Sequence, residues 1–167
     1  MSSTHEAEKN HLQQQLILLF PEQSKSHLTL VNKQPSHQNC MLCSNQPLLG
    51  LKLNFYGDQT QRVYAIFKSS LHQQGYEGIL HGGFLSALLD SSMCQALFNQ
   101  DIEGVTGDMN IRFLHEVKVN SEIVMVGKVI SSRHPLHKVE AELYVDGILM
   151  AKSNARFMTK GFGKANS

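Results

Sequence analysis

Hydrophobic positions along this 167-residue chain change their spacing twice. Over the first 47 residues Gln, Ser, His and Asn dominate, and the one strong apolar run is Leu16-Ile17-Leu18-Leu19-Phe20. Leu12, Leu16, Leu19 and Phe20 recur at helical spacing, which predicts a helix over about residues 5–20, stopped by Pro21. Five consecutive apolar residues fall far short of the ~20 that a bilayer crossing needs, so the helix is expected to pack one face on the rest of the chain. Residues 22–47 read mostly as loop, with a short strand at 28–31.

After Gly50 the pattern turns to alternation. Leu51, Leu53 and Phe55 alternate with Lys52 and Asn54. Beyond Gly57-Asp58, Val63, Ala65 and Phe67 alternate with polar or aromatic neighbours, so a hairpin of two strands is expected. A turn-rich stretch, Gly75-Tyr76-Glu77-Gly78, leads to residues 84–98, which are apolar, rich in Ala and Leu and free of β-branched residues. They predict a helix, and one apolar nearly all round must be buried on most sides. Alternation returns at 105–114, 122–130 and 138–145. Asp146-Gly147 signals a hairpin turn into a last strand over 148–158. One buried helix, a hairpin before it and four strands after it predict an α+β sheet wrapped around a single helix, rather than a doubly wound parallel array.

Composition narrows the class without naming a function. The chain is 41% hydrophobic and 17% charged, with 15 Lys+Arg against 14 Asp+Glu. There is material for one core and no single-sign field, so neither a general nucleic-acid binder nor an anionic-membrane binder is expected. No run of ~18 apolar residues and no basic-then-apolar leader is found, so a soluble cytoplasmic protein is expected. Cys40, Cys43 and Cys94 are too few for a disulfide framework, which agrees with a reducing compartment.

Local motifs carry the chemistry. In His81-Gly82-Gly83, two glycines open the long helix, where the first N–H groups lack intrahelical partners and a ligand can approach the backbone. With the helix dipole behind them, these N–H groups suit a carbonyl oxygen that becomes an oxyanion. Asp90 lies in the middle of the same apolar helix, where an ionised carboxylate is costly without a purpose. Seven residues separate Gly83 from Asp90, so they lie ~10 Å apart along the axis. A single carbonyl needs its oxyanion donor and its attacking group within ~3 Å. Both groups can serve one reaction only if they come from different subunits, so a site across a dimer interface is expected.

His81-Gly82-Gly83, with Asp90 nine residues after the His and Val105-Thr106-Gly107-Asp108 on the next strand, resembles hotdog-fold thioesterases of the PaaI-like and 4-hydroxybenzoyl-CoA thioesterase superfamily. The likeness covers about residues 48–160. It implies a curved antiparallel sheet around one long central helix, assembly into dimers or dimers of dimers, and hydrolysis of acyl-CoA. Carried over, Asp90 is the nucleophile or the general base. The Gly83 N–H, with Gly82, polarises the thioester carbonyl from the opposite subunit, His81 holds the turn or the substrate, and Thr106 positions water. Many members have an Asn six residues before the His, where this chain has Gly75; Gln73 and Gln74 are the adjacent residues that could substitute. A thioester is already activated, so a carboxylate and an oxyanion hole suffice without a Ser-His-Asp triad. Thr106, Asp108, Asn110 and Arg112 are expected on one strand face.

The implied layout is an N-terminal helix-and-loop extension over 1–47, the catalytic domain over 48–160 and a flexible tail over 161–167. No cofactor is expected beyond the CoA of the substrate. His37-x-x-Cys40-x-x-Cys43 has ligand spacing but only three donors, so ordinary thiols and no metal are expected. Residues 134–138 read as a charged loop that could reach a CoA phosphate, and Cys94 as core. Two other readings remain on the sequence: a hydratase or dehydratase, disfavoured for want of a His-acid pair, and a non-catalytic acyl-CoA-binding module.

Overall fold

The computed structural model describes residues 2–22, 26–45 and 50–162. The chain runs α1 (Ser2–Leu19), β1 (Thr29–Leu30), β2 (Tyr56–Gly57), β3 (Arg62–Lys68), α2 (Gly82–Phe98), β4 (Gly104–Phe113), β5 (Glu122–Arg133), β6 (Leu136–Val145) and β7 (Ile148–Thr159). Single 3-10 turns occupy Pro35–His37 and Leu71–Gln73. The strands form one antiparallel sheet in the order β1-β2-β3-β5-β6-β7-β4, which leaves β4 on an edge. This is the α+β architecture the alternation predicts.

Period-2 patterning puts Val63 and Ala65 of β3, Ile123 and Met125 of β5, and Val139, Ala141 and Leu143 of β6 on one face. Leu85, Leu88, Leu89, Met93, Ala96 and Leu97 of α2 pack into that face, all at most 3% exposed. The helix approaches β5 closely because Gly127 has no side chain; a Cβ there would overlap the Ser92 carbonyl. The other sheet face presents Tyr64, Val124 and Val126, which Leu12 and Leu16 of α1 cover. The first 47 residues therefore do more than append: α1 roofs one face, and Val31, Leu42 and Cys43 enter the core around α2 on the other.

Residues 51–55 depart from the expected strand. Lys52 adopts a left-handed conformation (φ 57°), which breaks the extended run. The Leu51 and Leu53 N–H groups donate instead to the Met41 and Leu42 carbonyls (3.3 and 3.1 Å). Residues 136–138 belong to β6, so the expected loop shrinks to His134-Pro135. Asp146-Gly147 is the predicted turn, with φ 49° and 79°.

The shared face expected for Thr106, Asp108, Asn110 and Arg112 is overturned. Thr106 pairs with Phe157 and Asp108 with Arg156, so Gly107 is an extra residue in a β-bulge and the alternation slips by one. Thr106 turns toward α2. Asp108, Asn110 and Arg112 lie on the opposite face, where Asp108 pairs with Arg156 and the other two line a solvated groove with Glu140 and Lys152. The domain boundary at 47/48 and most of the tail fall on residues 46–49 and 163–167, outside the described residues.

Candidate active site

The chain enters α2 through a turn tied at several points. The Gly78 N–H donates to Gln74 Oε1 (2.8 Å), with Gly78 at φ 76°, and the His81 N–H donates to the Gln73 carbonyl (2.8 Å). His81 is the N-cap: its Nδ1 accepts the Gly83 N–H at 2.8 Å, and its carbonyl accepts those of Phe84 and Leu85. The ring is therefore the tautomer with its proton on Nε2. Among the described residues only the Gly82 N–H of this first turn has no acceptor, and Gly82 is exposed. Gln74 and His81 thus shape the turn, Gly83 is already engaged by its cap, and Gly82 presents the free donor.

Two turns further along, Asp90 is half-buried and accepts the Thr106 hydroxyl on Oδ1 at 2.7 Å. The Gly107 bulge makes this contact by aiming Thr106 at the helix. Asp90 and Thr106 line a cavity of about 310 Å³ with Cys94, Phe98, His37 and Lys160. At its rim Glu103 accepts hydrogen bonds from Lys160 Nζ (2.9 Å) and Ser36 Oγ (2.7 Å), joining the N-terminal segment to the end of β7. A neighbouring cavity of about 670 Å³ shares Glu103 and Lys160 and is lined by Ser132, His134, His137 and Thr159.

Burial pushes the Cys94 thiol up to about 12, with the Asp90 charge adding to the effect. Such a thiol holds its proton at neutral pH. Ser36, Glu103 and Lys160 were not singled out from the sequence, and His37 was singled out only for its ligand spacing with Cys40 and Cys43. They lie on three separate segments, and no spacing signal connects them.

The helix keeps Gly82 and Asp90 apart. Eight residues at ~1.5 Å rise put them ~12 Å apart along the axis, so one chain does not bring both to one carbonyl.

Comparison with known proteins defines the class. Residues 77–151, which hold His81, Gly82, Gly83, Asp90 and Thr106, match the model of the Thioesterase superfamily. The rat protein "Acyl-coenzyme A thioesterase THEM4" is 28% identical over 71 residues, which is 42% of this chain and 30% of that one. The chain thus spans under a third of the length of that curated relative. The fold is that of the E. coli PaaI protein from the phenylacetic acid degradation operon (TM-score 0.62, 15% identity, 66% of this chain and 81% of that one). It is also that of a hypothetical thioesterase from Streptococcus pneumoniae solved with coenzyme A (TM-score 0.58, 20% identity, 60% and 82% covered). The hotdog fold and family read from His81-Gly82-Gly83 and Asp90 are those the comparisons return.

Proposed function

We propose that this protein hydrolyses an acyl-CoA thioester to the free acid and CoA, with Asp90 as general base. The observation that carries the reading is the 2.7 Å hydrogen bond from Thr106 to Asp90 inside a cavity, within a segment that matches the Thioesterase superfamily. Because the Thr106 proton is committed to Asp90, its oxygen faces a water only as an acceptor. A water held between Thr106 Oγ1 and Asp90 Oδ2 donates both protons and turns a lone pair toward the thioester carbon. Asp90 takes one proton as the C–O bond forms. It returns that proton as the C–S bond breaks and the CoA thiolate leaves.

The developing oxyanion is met by the Gly82 N–H of a second copy, since one helix cannot supply both groups. His81, held by its bond to Gly83, keeps an Nε2–H for the substrate. The edge strand β4, with Val105, Thr106, Gly107 and Asp108 all exposed, is the surface on which a second copy would pair. The pneumococcal structure with coenzyme A supports CoA as the carrier. Three free cysteines support the cytoplasm as the compartment, and among the described residues no helix is long and apolar enough to cross a membrane.

The test is release of free CoA from a panel of short-chain, medium-chain and aryl acyl-CoAs by the native chain and by Asp90→Asn. The native chain is expected to hydrolyse at least one of them, and the variant to lose about 10²–10⁴-fold in kcat. Undiminished turnover in Asp90→Asn removes Asp90 from the mechanism. No hydrolysis of any member favours a binding module instead.

A further inference from the structure

The segment that walls the Asp90 cavity from the N-terminal side carries a second cluster, independent of the hydrolase reading. His37, Cys40 and Cys43 lie on one compact turn, in which the Cys40 N–H donates to the His37 carbonyl (3.3 Å) and the Ser44 N–H to the Cys40 carbonyl (3.0 Å). The three donor atoms all lie within 4.8 Å of one another, with His37 Nδ1 3.2 Å from Cys43 Sγ. Bonds of ~2.3 Å to sulfur and ~2.0 Å to nitrogen set tetrahedral donors about 3.5–3.8 Å apart, so these atoms need only small adjustments to share one ion.

Two hydrogen-bond donors point at the sulfurs. The Leu42 N–H donates to Cys40 Sγ (3.4 Å), and Gln95 Nε2, from the buried face of α2, donates to Cys43 Sγ (3.6 Å). The Lys33 ammonium donates to the Cys43 carbonyl and so places a cation beside the pair. Cys43 is fully buried and Gln95 is 1% exposed, so a charged assembly would be costly here. Two thiolates and one neutral imidazole cancel the charge of a divalent cation.

We propose that His37, Cys40 and Cys43 bind zinc, with the fourth position taken by solvent. Two sulfurs and an imidazole suit a borderline ion and not magnesium or calcium. The sequence expectation of ordinary thiols rested on the count of donors; the structure adds their convergence and the donors aimed at the sulfurs. The ion acts as a clip. It fastens residues 33–43 against α2 and fixes His37, stacked edge-to-face on Phe98 (5.1 Å), as a wall of the Asp90 cavity. Asp90 and Thr106 are not ligands.

Cobalt titration of the full chain, reduced and metal-free, tests the site. The expected result is a sulfur-to-cobalt charge-transfer band with intense visible bands of tetrahedral geometry, saturating at about one ion per chain and bleached by zinc. Cys40→Ser/Cys43→Ser loses the charge-transfer band, whereas Cys94→Ser keeps it. Zinc slows amide exchange over residues 33–43 of the unaltered chain, a readout that does not depend on any variant folding. A native chain without the charge-transfer band, a band that survives in the double variant or disappears in Cys94→Ser, or exchange unmoved by zinc would each overturn the proposal.

Discussion

At the scale of single residues the proposed hydrolysis rests on two donors, the Thr106 hydroxyl and the Gly82 N–H. Removing the first strips a hydrogen bond to a charged group, worth about 1.5–3 kcal/mol. Thr106→Val is therefore expected to lower kcat by about tenfold to a hundredfold, while Thr106→Ser, which keeps the hydroxyl, stays close to the native rate; equal rates in both variants contradict the water-holding role. Gly82 allows a cleaner test because it is the first residue of α2, where proline is tolerated. The preceding His81 has ψ 129°, which a following proline accepts. Gly82→Pro deletes the N–H and is expected to cost about 10²–10³ in kcat, as loss of an oxyanion donor does. Gly82→Ala keeps the N–H, and its Cβ would meet Phe113 at an ordinary 3.7 Å, so steady-state kinetics should separate the two variants.

At the scale of elements, the placing of the site depends on how closely α2 approaches the sheet. Gly127→Val sets a side chain against the Ser92 carbonyl, which moves only if the helix moves. A loss of about 1–3 kcal/mol in unfolding free energy is expected, measured by denaturant titration, and an unchanged midpoint contradicts the close packing. Much of this layer was legible in the sequence, because α2 and β3 to β7 are long and strongly patterned. The apolar run over 84–98 and the alternations at 63–67 and 139–145 leave little choice of period. Lys52 was not legible, since a lysine with positive φ leaves no mark in hydropathy. The bulge was not legible either: Gly107 offered a hint, but which side of the strand Thr106 takes depends on its pairing with Phe157. Asp90 could be found because a carboxylate in an apolar helix is costly. Lys160 and Ser36 could not, because only the fold brings them together at the rim of the cavity.

At the scale of the whole molecule, the apolar fraction does not all go into one chain's core. On and beside the edge strand β4, Val105, Phe113 and Leu114 are 57%, 50% and 41% exposed. Large apolar side chains along the open edge of a sheet mark a surface suited to a partner strand. This agrees with the helix arithmetic, which keeps Gly82 and Asp90 of one chain from meeting at one carbonyl. A working site is therefore expected to take Asp90 and Thr106 from one chain and the Gly82 N–H from another. Mixing inactive Asp90→Asn with inactive Gly82→Pro under conditions that allow subunit exchange tests it most directly. In hybrid dimers one site carries both lesions and the other carries neither, so statistical exchange is expected to restore about a quarter of native turnover. A mixture that forms hybrids, verified by native mass spectrometry, and still hydrolyses no acyl-CoA that the native chain turns over would contradict the account.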